Sequence, residues 1–543
     1  MITVSLNREN FEYDIHSLVK AFYAKEDVKV FADRERICRL EQGETPLFHM
    51  EISFQEGSGD REASRKEGED NGGRKDRVEI ALFLPPTEKG TAETASKILQ
   101  GGKRKRSSKV GGGGAAYAEG GYTLGIQKGA EADFSDRKET KNLLKRCLYH
   151  LLSEYTGQEL PWGTLTGIRP TKIAMNMLEQ GVGEGEAKAF MEATYLASEQ
   201  KADLSIEIAK REMALLEQMD YKDGYSLYIG IPFCPSICSY CSFSSSPIGL
   251  WKDKVDVYLA ALGEEIAFAA DTYAHKKLNS VYIGGGTPTT LSPQQLEYLL
   301  SEVENKFHFS DLLEYTVEAG RPDSVAREKL QVLRDHGISR ISINPQTMKQ
   351  ETLDIIGRCH KVEQVVESFG LAREMGFDNI NMDLILGLPK ETLEDVENTM
   401  KQIKALAPDS LTIHSLAMKR AARLKMFPED YQGMEMENSW EIVDLTERYA
   451  REMGLLPYYL YRQKNMAGNF ENVGYAALGK AGIYNILMME EKQTIVACGA
   501  GSVSKRVYPD GRIERSENVK DVALYIQKID EMIERKRKLL MDF

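Results

Sequence analysis

The sequence predicts an α/β protein built on a parallel sheet, with a small α/β segment before it and a mostly helical one after it. Three observations predict this. Between residues 223 and 420 six β-rich runs recur, each followed by a helix-like stretch. The runs are almost continuously apolar, as strands covered on both faces are, and the intervals are long enough for βα crossovers. Glycine, proline and polar residues gather at the C-terminal ends of the runs, where α/β folds place their chemistry. Six units are fewer than the eight of a closed TIM barrel, so an open sheet and a partial barrel both fit.

Taken in order, residues 1–160 mix strand-like runs (MITVSL, FHMEISF, RVEIALFL) with helix-like stretches and form an α/β accessory domain. Two polar, glycine-rich stretches interrupt it, QEGSGDREASRKEGEDNGGRKDR at 54–76 and GGKRKRSSKVGGGGAAYAEGG at 101–121, both read as solvated loops. Residues 161–222 form a helical connector that opens with PWGTLTGIRPTK, whose Arg169 and Lys172 look more specific than a linker. The six runs then follow within 223–432: SLYIGIPF, SVYIGGG, YTVEAG, RISINPQ, NINMDLILGL and SLTIHSLA. Residues 433–543 combine two helix-like stretches with an aromatic, glycine-rich middle, PYYLYRQKNMAGNFENVGY.

Composition narrows the function classes. A net charge of −13 argues against nucleic acid or an anionic membrane as the main partner. No apolar run reaches the roughly 18 residues of a spanning helix, and the N-terminus lacks a signal-peptide core, so a cytoplasmic protein is expected. Seven cysteines in 543 residues do not make a disulfide scaffold. Cys38, Cys147, Cys359 and Cys498 are scattered and read as small buried residues. Cys234, Cys238 and Cys241 are different. They fall within eight positions at spacing CxxxCxxC, just after the first β run.

A structural zinc site wants four ligands, and no second cysteine pair or nearby histidine supplies the fourth. A thioredoxin-like dithiol would leave Cys234 without a role. An iron–sulfur cluster held by three thiolates keeps one iron open to a non-protein ligand.

CxxxCxxC with Tyr240 before its last cysteine resembles the radical S-adenosylmethionine (SAM) superfamily. YIGIPFC, GGGTPT, VEAGRPD, NPQ, GRCH and MDLILGLPKET resemble, in order, motifs of its oxygen-independent coproporphyrinogen III oxidase-like branch. PWGTLTGIRPTK, YLYRQKNMAGNFENVGY and IYNILMMEE are similar to the HemZ (coproporphyrinogen dehydrogenase) subgroup, and the similarity is strongest over about 160–505. The resemblance implies a partial (βα)6 barrel with N- and C-terminal extensions. It also implies a [4Fe-4S] cluster on Cys234, Cys238 and Cys241, whose vacant iron is chelated by SAM. Cleavage of SAM then yields a 5′-deoxyadenosyl radical that abstracts hydrogen.

By the same resemblance Tyr228 and Tyr240 lie beside SAM, Gly284, Gly285 and Gly286 meet its methionyl ammonium, and Thr287 adds a hydroxyl. Glu318 and Gln346 reach the ribose or methionyl region, Asp383 the ribose or adenosine, Arg358 the carboxylate, and Ala417 the adenine. One departure stands out: the oxygen-independent coproporphyrinogen oxidases carry a histidine where this chain has Gly230.

The implied reaction is oxidative decarboxylation of two propionates of coproporphyrinogen III in haem biosynthesis. A tetracarboxylate tetrapyrrole calls for cations, with Arg169, Lys172, Lys419, Arg420, Arg462 and Lys464 as candidates, and for walls such as Tyr458, Tyr459 and Tyr461. The implied partners are that substrate, an electron donor and an electron acceptor, acting on a monomer. Other readings are a haem-carrying chaperone of the same branch, with His360 or His414 as an axial ligand, and radical chemistry on another substrate.

Overall fold

Short alternating apolar runs build the first sheet: β1 (Ile2–Leu6), β2 (Val28–Phe31), β3 (His49–Gln55), β4 (Arg77–Leu84) and β5 (Thr123–Glu131). Their order is β2-β1-β3-β4-β5, parallel around β1 and antiparallel beyond β3. Along β3 buried and half-buried residues alternate, and the buried Met50, Ile52 and Phe54 join Leu148, Leu151 and Leu152 of the helix Arg137–Thr156 in one core. That helix starts on Asp136, whose carboxylate accepts from the backbone of Lys138 and Glu139, and stops at Gly157 in the left-handed region.

In the computed structural model, residues 1–541 are described except for 25, 33–45, 58–74, 86–122, 168, 420, 437 and 464–469. Most of the 54–76 stretch, all of 101–121, Cys38, Arg420 and Lys464 lie outside the described residues. The chain forms two units, one of residues 1–167 and 184–203, the other of 168–183 and 204–543. The stretch 161–222 is therefore shared between the units.

The second unit is organised by the six apolar runs. They become β6 (Gly224–Ile231), β9 (Lys277–Gly285), β10 (Glu314–Glu318), β11 (Arg340–Ser342), β12 (Ile380–Leu386) and β13 (Ser410–Ser415). Each pairs in parallel with the next in chain order. Between β6 and β9 the short strands β7 (Phe233–Cys234) and β8 (Ser246–Pro247) pair with each other. This is the partial (βα)6 barrel, with one sheet edge at β6 and the other at β13.

Both edges are covered by the C-terminal segment. Besides the helices Trp440–Glu452 and Ile529–Leu540, it supplies β14 (Leu456–Tyr461), β15 (Asn472–Ala476), β16 (Thr494–Cys498), β17 (Val503–Val507) and β18 (Ile513–Glu517). Strand β15 pairs antiparallel with β13 and carries β14; β16 pairs parallel with β6 and carries β17 and β18. The result is one sheet of 11 strands, so the mostly helical segment expected from the sequence also extends the barrel's own sheet. Its strands are short and broken by loops, which hides their period, and pairing them removes exposed edges.

A buried ion pair fastens this addition. Glu265, on the helix Val255–Tyr273, accepts from the Gly499 backbone N–H (2.7 Å), the Asn518 amide (2.7 Å) and the Tyr525 hydroxyl (2.6 Å). Lys536 closes the network 3.0 Å from Glu265, with both side chains essentially unexposed, and also donates to the Ala497 carbonyl at 2.7 Å. Removing one partner of such a pair leaves an uncompensated buried charge. Lys536→Met is expected to destabilise this unit by about 3–5 kcal/mol. Urea unfolding measures it, and the double variant Glu265→Gln/Lys536→Met should recover part of the loss.

Candidate active site

The cysteine loop leaves β6 through Pro232, and backbone contacts fix its path. Gly286 and Thr287, at the end of β9, donate to the carbonyls of Ile231 (2.8 Å) and Phe233 (2.7 Å). A Cβ on Gly286 would lie 2.5 Å from the Phe233 carbonyl oxygen, so only glycine lets these two segments join. Further along, Ser239 N–H donates to Ile356 O at 2.9 Å, Leu424 N–H to Ser239 O at 2.9 Å, and the Ser236 hydroxyl to Gly357 O at 3.0 Å. The loop is thus tied to segments that follow three other strands, β9, β11 and β13.

The thiols are partnered by side chains from the same rim. Thr287 donates its hydroxyl to Cys234 Sγ at 3.5 Å. Arg321 is held by both oxygens of Asp323 (3.0 and 2.7 Å). Its Nη1 reaches the Ser236 carbonyl (3.1 Å), the Ser236 hydroxyl (2.9 Å) and Cys238 Sγ (4.0 Å). Burial pushes the Cys234 and Cys241 thiols above their ordinary range, with neighbouring thiols adding to it and the Thr287 hydrogen bond opposing it at Cys234. Among the described residues no group of three or more His, Cys, Asp or Glu is gathered closely enough to hold a single metal ion. The three thiols lie near enough to raise one another's proton affinity, and thiolates are the donors an iron–sulfur cluster takes.

Inside the barrel, Tyr228, Tyr282 and Tyr484 stack on one another, Tyr282 and Tyr484 most closely with ring centroids 4.5 Å apart. The Tyr282 hydroxyl donates to Glu318 at 2.6 Å. Burial pushes the Glu318 carboxyl up to about 7 and nearby Asp383 adds to this, while hydrogen bonds from Tyr282 and the Gly285 backbone pull it down. Gly285 itself has φ +109 and lies against the Tyr228 hydroxyl. Of the three glycines, Gly286 thus serves the join with the cysteine loop, and Gly284 makes room for the Glu318 carboxylate.

The remaining predicted residues converge on the same rim. Gln346 is buried with φ 69, a backbone conformation costly for a non-glycine residue, and it exchanges backbone hydrogen bonds with Asp383 and Ile385. Arg358 is buried, donates to the Asn344 carbonyl and to the Tyr240 hydroxyl (3.2 Å), and keeps its Nε–H without a partner. Asp383 accepts from the Asn381 amide at 2.7 Å and lies 3.9 Å from His414, whose other ring nitrogen meets Tyr461 at 3.3 Å. Burial raises the Asp383 carboxyl but these partners outweigh it and hold the group below the ordinary aspartate range. Ala417 is half-buried just past the end of β13.

A cavity of about 510 Å³ opens beside this rim. Its lining includes Gly230, Gly285, Phe243 and Ser244, the rings of Tyr228, Tyr461 and Tyr484, and the charged Arg169, Arg462, Lys505, Arg515 and Glu491. Tyr484, Glu491, Lys505 and Arg515 are additions to the residues expected from the sequence. Only Tyr484 and Glu491 carry a sequence signal, the motif IYNILMMEE. Three expectations need correction. Cys359 is exposed, because Gly357 at φ 75 turns the chain so that Arg358 points inward and its neighbour outward. Tyr458 and Tyr459 pack in the core, so of the three tyrosines of β14 only Tyr461 reaches the cavity. Neither His360, which is wholly buried, nor His414 lines the cavity as an axial ligand would.

The donor set fits the implied cofactors: three thiols on a loop pinned at the barrel rim, and an orphaned buried N–H on Arg358 among polar groups. Gly286→Ala is expected to abolish retention of iron after anaerobic reconstitution, because the Phe233 carbonyl must move. Gly230→Ala should retain it fully, since a Cβ there meets nothing closer than 3.4 Å. Iron per chain and the visible absorption of the cluster measure both.

Comparison with known proteins agrees with this geometry. The model of the radical SAM superfamily matches residues 228–403. The chain is 40% identical over 408 residues to the oxygen-independent coproporphyrinogen-III oxidase-like protein HemZ of Bacillus subtilis (strain 168), covering 74% of this chain and 81% of that one. It is also 40% identical over 195 residues to the heme chaperone HemW of the same organism, covering 36% of this chain and 51% of the relative. A solved structure of coproporphyrinogen III oxidase (HemN) from Escherichia coli aligns with a TM-score of 0.47 at 23% identity, over 59% of this chain and 73% of that one. Members of the superfamily use a [4Fe-4S] cluster and SAM. Extended identity to the Bacillus protein, on top of the barrel and its three-cysteine loop, makes this chain a member of the radical SAM superfamily in the HemZ group of its oxygen-independent coproporphyrinogen III oxidase-like branch.

Proposed function

We propose that the protein is a radical SAM oxidoreductase that decarboxylates the propionate side chains of coproporphyrinogen III to vinyl groups. The observation that carries this reading is the cavity itself. It joins the flank of the cysteine loop to aromatic walls and to a surplus of basic side chains, which suits an apolar ring bearing several carboxylates. Cys234, Cys238 and Cys241 would hold the cluster, which with SAM bound supplies the hydrogen-abstracting 5′-deoxyadenosyl group.

The chain's own residues have defined tasks in that reading. Glu318, steadied by Tyr282 and Gly285, accepts hydrogen bonds from SAM hydroxyls or its ammonium. Asp383 is presented ionised by Asn381 and His414 for the same purpose. The spare Nε–H of Arg358 is available to the SAM carboxylate. Tyr228, Tyr461 and Tyr484 wall the cavity and exclude water from the reacting carbon. Each propionate loses one hydrogen atom from its β-carbon, then CO2 and one electron, to leave a vinyl group. The electron passes to an external one-electron acceptor.

A haem-carrying role is the second reading, supported by the identity to heme chaperones. Anaerobic turnover separates the two. Reconstituted protein given SAM, a reductant and coproporphyrinogen III is expected to form protoporphyrinogen IX and 5′-deoxyadenosine. Haem bound tightly with neither product formed would favour the carrier.

The Glu318 carboxyl supplies a pH test. Its ionised form accepts SAM hydroxyls, and that form grows as pH rises through about 7. SAM affinity is expected to strengthen from about pH 6 to about pH 8, and Glu318→Gln to weaken it and flatten the profile. Calorimetric titration with SAM measures this, and a flat wild-type profile would count against the role given to Glu318.

A further inference from the structure

The mouth of the cavity carries a charge arrangement that SAM binding does not use. Three cations from distant parts of the chain converge on one carboxylate. Glu491, just past the helix Ile483–Glu490 in a left-handed backbone conformation (φ 51), pairs with Arg169 at 2.6 Å, Arg515 at 2.8 Å and Lys505 at 3.8 Å. Arg169 also donates to the Met489 carbonyl (2.8 Å) and Lys505 to the Met488 carbonyl (3.0 Å), both at the C-terminal end of that helix. These contacts fix the side chains in place, and a helix C-terminus favours cations. They do not balance the charge.

Lys505 and Glu491 have side chains only 10% and 15% exposed, Arg515 is half exposed, and the buried Glu490 adds a second carboxylate that acts on Arg169. Arg462 lines the same cavity and is itself buried. Burial pushes the Lys505 ammonium down to about 8, and the like charges of Arg169 and Arg515 act in the same direction against Glu491. Positive charge that is in part withheld from water, as at Lys505 and Arg169, is relieved by an anionic ligand. Around it the cavity is aromatic and aliphatic, with Tyr484, Tyr461, Ile495 and Met488 in the wall.

We propose that Arg169, Lys505 and Arg515 form a carboxylate-recognition subsite that orients the ligand in the cavity, with Glu491 holding the three cations in register. Its ligand is the anionic side chains of an apolar tetrapyrrole ring, an identification that rests on the reading above. Glu491 then competes with the ligand for the same donors. The subsite sets which carboxylated ring is accepted and how it is turned, because groups held at the cations fix which edge of the ring faces the SAM side.

The test is titration of the full-length protein with coproporphyrin III, a four-carboxylate probe, and with deuteroporphyrin, which has two, followed by porphyrin fluorescence at low salt. Lys505→Gln/Arg515→Gln is expected to weaken coproporphyrin III binding ten-fold or more and deuteroporphyrin binding less. Glu491→Gln should tighten both several-fold by removing the competing carboxylate. Circular dichroism and iron content report whether each variant is folded. If the wild type binds coproporphyrin III and the folded double variant binds it equally well, the subsite is overturned.

A second measurement keeps the subsite separate from the tetrapyrrole. Bound anions should slow the acylation of Lys505, read by peptide mass spectrometry. Protection by inorganic phosphate with no porphyrin bound would keep the anion subsite and overturn the tetrapyrrole. Protection by neither porphyrin nor phosphate would overturn the subsite.

Discussion

The site depends on one backbone junction, where Gly286 and Thr287 donate to the carbonyls of Ile231 and Phe233. Those two hydrogen bonds carry the first strand's path across the end of the second, so that the loop bearing Cys234, Cys238 and Cys241 begins at the barrel rim and not beyond it. Backbone amides buried at such a point need partners, and here each strand end supplies the other's. The contact is closer than any side chain allows, which explains glycine at 286 in structural terms alone. Thr287 then places its hydroxyl on Cys234, so one short segment both positions the loop and touches a thiol.

A second constraint is electrostatic and lies on the opposite side of β6. Tyr258 donates to the Gly230 carbonyl at 2.6 Å and accepts from Ala500 N–H at 3.1 Å. Glu265, one helical segment further along the same helix, holds Gly499 and Lys536. Gly230, Ala500, Gly501 and Ser502 all line the cavity. The C-terminal strands are therefore part of the site's wall, held by a buried charge pair whose desolvation is offset only while every partner is present. This gives strand β16 a functional reason to exist in addition to covering β6.

The chain order of the barrel strands was legible because their apolar runs are long and each ends in glycine, proline or polar residues. The three thiols, Glu318, Gln346, Arg358 and Asp383 were legible as motif positions at those ends, and the fold brings them to one rim. Other features were not. Lys505 and Arg515 sit on five-residue strands flanked by turns, where a basic residue looks like any solvated charge until the pairing is known. Cys359 follows a glycine whose left-handed conformation no local composition announces. The three glycines read naturally as a place for a ligand to approach, yet at Gly286 it is another backbone that approaches. The physical requirement, absence of a Cβ, is the same in both cases, so sequence alone does not separate them.

Polarity across the cavity has a consequence for chemistry. Gly230 and Gly285 put no side chain of their own into the wall, and the Tyr228 ring lies against both. The neighbouring tyrosines are packed and uncharged in the ordinary pH range because burial raises their hydroxyls. Cations occur instead around Glu491. An anionic group entering this cavity finds its strongest donors among those cations, and burying it unpaired against the aromatic and aliphatic wall is costly.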